Sequence, residues 1–227
     1  MNKKLVILIK AVLAGMMIGT GCIVYSMCSS KLLGAFLFSF GLFTICNYGL
    51  NLYTGKIGYL VNDPSASYVV ELLLTLAGNL IGTALTAFLV NSTRLAPSIA
   101  SFVGPVVETK NADSFMSLIV LAFFCGILMY IGVDLYKKAA NPVSQVMAVV
   151  FAVVIFILAG FEHCVADMFY MFAAKNTDWA RLAAMVLGNS LGGIFARASV
   201  TAVTAKASEK PTAAKDTRRV PSAKTAS

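Results

Sequence analysis

Apolar residues run along this chain in blocks of about 20, the length at which a helix crosses the hydrocarbon core of a bilayer. The first block is Leu5–Met27, with Gly15, Gly19 and Gly21 suited to close helix contact. The second starts near Leu33 and is clean to Cys46. Asn47, Gly49, Asn51, Thr54, Gly55 and Lys56 then interrupt it. The third is Tyr68–Val90. A polar stretch from Asn91 to Asp113, with Pro97, Pro105 and Lys110, leads to the fourth, Phe115–Leu135. The fifth, Val143–Phe161, meets Glu162-His163-Cys164 and continues as an apolar half-segment to Ala174. The sixth is Trp179–Val203. This pattern predicts an all-α integral membrane protein of six spans, with the second and fifth helices broken and both termini on one side.

The blocks repeat. Gly78-Asn79-Leu80-Ile81-Gly82 is echoed 110 residues later by Gly188-Asn189-Ser190-Leu191-Gly192. The same shift lays Asn51–Gly55 on Phe161–Val165, so the two broken helices match across halves of about 5–90 and 115–203. Three spans per half is an odd number, which requires the halves to be inverted. Broken helices in inverted halves build permeation sites near the midplane, because irregular backbone at that depth must line a cavity or be buried in protein. The Gly-Asn pairs also fit a plainer role, as small-residue helix contacts.

Composition sharpens the class. Of 227 residues, 59% are hydrophobic and 12% charged, against about 25% charged in soluble domains. A soluble enzyme, a disordered chain and a nucleic-acid binder are excluded. The formal net charge of +8 divides in two, since residues 206–227 hold six Lys/Arg and two Asp/Glu. That segment reads as a disordered basic tail beyond a single channel domain of 1–205. Cytoplasmic termini place Lys3, Lys4, Lys10, Lys56, Lys137, Lys138 and the tail inside, and Lys31, Arg94, Lys110, Lys175 and Arg181 outside, as the positive-inside rule prefers. Met1-Asn2-Lys3-Lys4 imitates a secretory leader, yet the following run reads as a retained first span. The five cysteines form no CxxC pair, so neither a disulfide nor a thiol metal site is expected.

His163 is the only histidine. It stands at the break of the fifth span, either as a hydrogen-bonded core residue or as a pore residue. Ionisable groups inside a membrane favour the second. Glu162 and Asp167 flank it, and Asp167, four residues on, shares its face. His163 and Cys164 are adjacent and cannot face each other as a dyad. No GxSxG, HExxH or P-loop is present, so no enzyme, metal or cofactor is expected.

Gly160-Phe161-Glu162-His163-Cys164-Val165-Ala166-Asp167-Met168-Phe169, together with Asn51-Leu52-Tyr53-Thr54-Gly55 and Phe38-Ser39-Phe40-Gly41-Leu42, resembles the formate/nitrite transporter family over roughly residues 8–205. The resemblance implies an aquaporin-like protomer in the cytoplasmic (inner) membrane, assembled as a homopentamer. Each protomer would have its own pore for formate, nitrite or hydrosulfide. His163 matches the central pore histidine and Thr54 the threonine facing it. Phe38, Leu42 and Tyr53 match the cytoplasmic constriction, Leu52 and Phe156 the periplasmic one, and Lys110 a basic residue of the outer vestibule. Two departures follow from the same alignment. Gly126 replaces a pore-side Asn, which would remove a donor beside the histidine and favour a smaller anion. Asp167 stands where many relatives have Asn. The first span is expected almost at the N-terminus, with no amphipathic helix before it. The alternatives are a proton-coupled transporter of a small carboxylate and a neutral-solute pore of aquaporin type. The latter calls for two Asn-Pro-Ala motifs, whereas Asn141-Pro142 precedes Val143.

Overall fold

The structure is a computed structural model that describes residues 2–208, with side chains to residue 204. The described residues form helices and connections, without strands. Helix α1 is Lys3–Met27, α2 Lys31–Asn47, α3 the single turn Tyr53–Lys56, which a 3-10 helix Ile57–Val61 extends, and α4 Ala66–Asn91. Helix α5 is Ala96–Ala112, α6 Phe115–Lys138, α7 Pro142–Ala159, α8 Cys164–Ala173 and α9 Trp179–Ser208. The basic tail lies outside the described residues from 209 onward. Helices α1, α4, α6, α7 and α9 are long and apolar enough to cross a membrane. Helices α2 and α8, of 17 and 10 residues, are shorter. Side-chain caps fix several starts: Asn2 accepts from the Lys4 N–H, Ser65 from Tyr68 and Asn141 from Ser144.

The two halves correspond closely. Helices α1, α2 and α3 begin at Lys3, Lys31 and Tyr53, and α6, α7 and α8 at Phe115, Pro142 and Cys164. Both breaks open in one way. Helix α2 ends at left-handed Gly49 (φ 58°) with Leu50 N–H on Ile45 O, and α7 at left-handed Gly160 (φ 71°) with Phe161 N–H on Phe156 O. A Cβ is strained in that conformation, and the bond five residues back closes the exposed carbonyls. These pairs stand 111 residues apart, which corrects the shift of 110 read from the Gly-Asn motifs. The link from break to motif is one residue shorter in the second half, as Tyr53 pairs with Asn79 but Cys164 with Asn189. Leu52, and not Tyr53, is therefore the counterpart of His163. The start of α2 (Lys31) and the end of α7 (Gly160) line one cavity, so these equivalent helices run in opposite directions.

Glycines let the long helices touch. On α4 a Cβ at Gly82 would strike Val12 O of α1, and on α9 a Cβ at Gly192 would strike Phe123 O of α6. Gly126 belongs to the same contact. Its missing Cβ would meet Asn189 backbone, just as that of Gly15 would meet Asn79 backbone. The expected absent pore donor is thereby corrected, since this position is a helix crossing with no room for a side chain. Gly192→Ala is expected to force α6 and α9 apart at roughly 1–3 kcal/mol. A thermal unfolding midpoint several degrees lower than wild type would register it, and an unchanged midpoint would contradict the contact.

The polar stretch 91–113 is itself largely helical, as α5, which the sequence reading did not anticipate. Ile99, Val103 and Val107 recur every four residues and are fully buried, so one apolar stripe docks this short helix and carries Lys110 inward.

Candidate functional site

The two breaks meet. Thr54, in the first turn of α3, places Oγ1 2.9 Å from His163 Nε2, and His163 is the N-cap of α8. His163 Nδ1 accepts the Ala166 N–H at 3.2 Å. A ring nitrogen that accepts a backbone N–H carries no proton, so the proton sits on Nε2 and points at Thr54. Thr54 Oγ1 accepts it, which leaves the Thr54 hydroxyl proton free to donate onward. Both side chains are buried, and the imidazole stacks on Phe156 with centroids 5.4 Å apart.

Asn79 and Asn189 hold this junction, and sequence reading assigned neither a role there. Asn79 Oδ1 accepts the Tyr53 N–H at 2.9 Å, while its amide donates to Ala11 O at 2.8 Å and Asn51 O at 2.9 Å. Asn189 Oδ1 accepts the Cys164 N–H at 2.8 Å, while its amide donates to Ala122 O at 2.7 Å and Glu162 O at 2.8 Å. Each asparagine thus satisfies the first N–H of a short helix and a carbonyl in the extended segment before it. No water is available to do so inside a bilayer. The repeated Gly-Asn motif was the signal: its glycines bring the helices together, and its asparagine spends two bonds on the break and one on the neighbouring long helix.

Two cavities approach the Thr54–His163 pair. One, of about 240 Å³, is lined by Ile45, Leu52, Gly55, Lys56 and Lys137. The other, of about 250 Å³, is lined by Lys31, Phe38, Lys110, Phe156, His163 and Asp167. Lys31 of the second cavity and Cys46, which lines the first, lie at opposite ends of α2, about 22 Å apart by helical rise, so the cavities open at opposite ends of the bundle. Phe38 packs edge-on against Phe156, with centroids 5.9 Å apart, whereas Leu52 lines the other cavity. The expected grouping of Phe38 with Tyr53, and of Leu52 with Phe156, is corrected. Leu52 and Tyr53 are consecutive residues and cannot belong to rings at opposite depths. Leu42, one turn beyond Phe38 on α2, is fully buried. The Tyr53 hydroxyl reaches Ser190 on α9 at 2.9 Å.

Lys110 differs from a free vestibule charge. It is ion-paired with Glu162 and, at 3.0 Å, with Asp167. Helix α5 brings it there, and its side chain is 13% exposed. Lys56 at the other cavity pairs with Glu71 and donates to Asn51 Oδ1 at 3.0 Å. All five cysteines are free, and among the described residues no three metal-binding side chains converge.

The model of one protein family, described as formate/nitrite transporter, matches residues 2–203. Among known proteins, a formate-nitrite transporter of Plasmodium vivax is 27% identical over 144 residues, covering 56% of this chain and 46% of that protein. The formate channel FocB of Escherichia coli is 22% identical over 149 residues, covering 62% of this chain and 53% of the relative. The chain thus spans about half the length of these two relatives. An uncharacterized transporter of Bacillus subtilis, YrhG, is 25% identical over 181 residues, 72% of this chain and 68% of its own. Of solved structures, a pentameric formate channel with formate bound superposes with a TM-score of 0.76 at 22% identity, covering 89% of this chain and 98% of the other. An FNT family ion channel gives 0.78 at 21%, covering 89% and 91%.

Proposed function

The chain is a multi-pass membrane protein that belongs to the formate/nitrite transporter family, and from that premise we propose that each protomer passes small monovalent anions between the two cavities by way of Thr54 and His163. The carrying observation is the 2.9 Å contact between Thr54 Oγ1 and His163 Nε2 at the meeting of the two breaks. Formate, nitrite and hydrosulfide are the cargo class. Five protomers assemble, each with its own path. The exposed Phe36, Phe40, Phe88, Phe151 and Phe195 face lipid or a neighbouring protomer. The membrane is the cytoplasmic one, both termini lie inside, and Lys56 and Lys137 mark the inner mouth.

The path follows from the chemistry of the lining. An anion enters the outer cavity beside Lys110, whose charge the paired Glu162 carboxylate offsets at close range. It then meets Phe38 and Phe156, which strip water from it. Desolvating an anion without compensation costs several kcal/mol. The Thr54 hydroxyl donates to it, and His163 holds that hydroxyl in the donating orientation by giving its own Nε2 proton to the oxygen. The N-terminal end of α8 adds positive partial charge at the same level. Leu42 and Leu52 form the apolar partition on the inner side. A proton joining the anion would let it cross as a neutral acid, and that proton does not come from His163. Protonating Nδ1 would break the α8 cap at Ala166.

Flux of formate, nitrite, hydrosulfide, chloride and glycerol, measured side by side in proteoliposomes, tests the reading. The expected result is saturable flux of the small anions of weak acids, with glycerol at the level of empty liposomes. Glycerol flux without anion flux would overturn it in favour of a neutral-solute pore.

A further inference from the structure

The outer cavity holds an unbalanced set of charges. Lys110 Nζ is shared between Glu162 and Asp167, one cation for two carboxyls whose side chains are only 7% and 2% exposed. The neutral His163 brings no second cation. Cys22 of α1, Cys125 of α6, Cys164 and the Tyr170 hydroxyl also face Asp167, and all four are uncharged at neutral pH. Lys31 and Tyr25 complete the cavity. With both carboxyls ionised, the triad would present a net charge of −1 to the anion it receives.

The geometry separates the two carboxyl oxygens of Asp167. Oδ1 lies 3.0 Å from Lys110 Nζ, whereas Oδ2 is buried without any hydrogen-bond partner. A buried carboxylate oxygen with no donor carries a large desolvation cost. The same oxygen bearing a proton carries much less. Asp167 lines the cavity that His163 and Phe156 also line, so an occupant feels its charge state across a short distance.

We propose that Asp167 carries a proton on Oδ2 at neutral pH, so that the Lys110–Glu162–Asp167 triad presents no net charge to the anion in the outer cavity. The triad is then a Lys110–Glu162 ion pair beside an uncharged acid, and Asp167 sets the charge that an entering anion meets. The proton stays on Asp167 while the anion passes. Once it is lost to bulk water at alkaline pH, the cavity gains a negative charge and anion entry declines. This inference rests on the anion-channel reading above.

Infrared spectroscopy of the purified full chain tests it independently of transport. At neutral pH a protonated-carboxyl C=O stretch is expected in the wild type. It should shift when the aspartate carboxyls carry carbon-13, stay fixed when the glutamate carboxyls do, and vanish in Asp167→Asn. In Glu162→Gln the one remaining carboxyl balances Lys110, so the band should vanish there as well. A band that is absent from the wild type, follows the glutamate label or survives in Asp167→Asn overturns the proposal. Formate flux gives the second readout, as the ratio of Asp167→Asn to wild type, in which the pH dependence of the cargo cancels. An asparagine amide is as neutral as the protonated acid but cannot ionise. The ratio should rise by about tenfold per pH unit once Asp167 has ionised, and a ratio flat with pH overturns the proposal. A wild type that passes no anion at all would instead defeat the channel reading, and the infrared bands would still decide the protonation.

Discussion

Asn189→Ala is expected to yield no monodisperse folded protein. The substitution removes one acceptor and two donor bonds at once. It orphans the Cys164 N–H and the Glu162 carbonyl, whereas the Ala122 carbonyl keeps its bond within α6. Each buried unsatisfied group costs about 1–3 kcal/mol, so the two together approach the lower end of the roughly 5–15 kcal/mol that hold a typical domain folded. Water relieves such losses in a soluble protein but is absent here. Asn189→Asp is the sharper variant because it changes little in shape. Its carboxyl still accepts from Cys164 but turns an oxygen toward two carbonyl oxygens, and it should fail nearly as badly. Asn79→Ala orphans the Tyr53 N–H and the Asn51 carbonyl, and the same outcome is expected. Size-exclusion profile and thermal midpoint of the detergent-solubilised protein measure this. An Asn189→Ala protein with the wild-type midpoint would show that the clamp is dispensable.

Much of this arrangement was legible in the sequence, for identifiable reasons. The breaks announced themselves because polar residues cannot sit in lipid-facing helix: Asn47 to Lys56 and Glu162-His163 had to be somewhere special. His163 stood out as the only imidazole, and Thr54 came from the family resemblance. The correspondence of the halves was visible but displaced by one residue, because the shared motif lies on α4 and α9, beyond a connection of unequal length. Helix α5 was hidden by Pro97, Pro105 and its polar face. The spacing of Ile99, Val103 and Val107 carried the signal, and Lys110, three residues further on, shares that face. That Lys110 pairs with Glu162, 52 residues away, has no local signature. The grouping of Phe38 with Phe156 likewise depends on the antiparallel meeting of α2 and α7, which no pattern within either helix encodes.

The second large effect concerns His163, and it bears on the central claim that anions pass by way of the Thr54–His163 contact. His163→Ala would confound two losses, since the imidazole both caps α8 through Nδ1 and holds Thr54 through Nε2. His163→Ser separates them. A serine oxygen is a favoured N-cap and can accept the Ala166 N–H, while its short side chain ends well short of Thr54. The fold should therefore survive, with α8 still capped, and the Thr54 hydroxyl should lose the group that fixes its donating direction. A hydrogen bond to a charged species in a dry site contributes about 1.5–3 kcal/mol, which corresponds to roughly 10–100-fold in rate. The deciding measurement is formate flux through His163→Ser in proteoliposomes, compared with wild type at equal protein content after the variant has given a wild-type size-exclusion profile. A fall of about tenfold or more is the result predicted here. Formate flux equal to that of the wild type would contradict the account, because it would mean that the path does not run past His163.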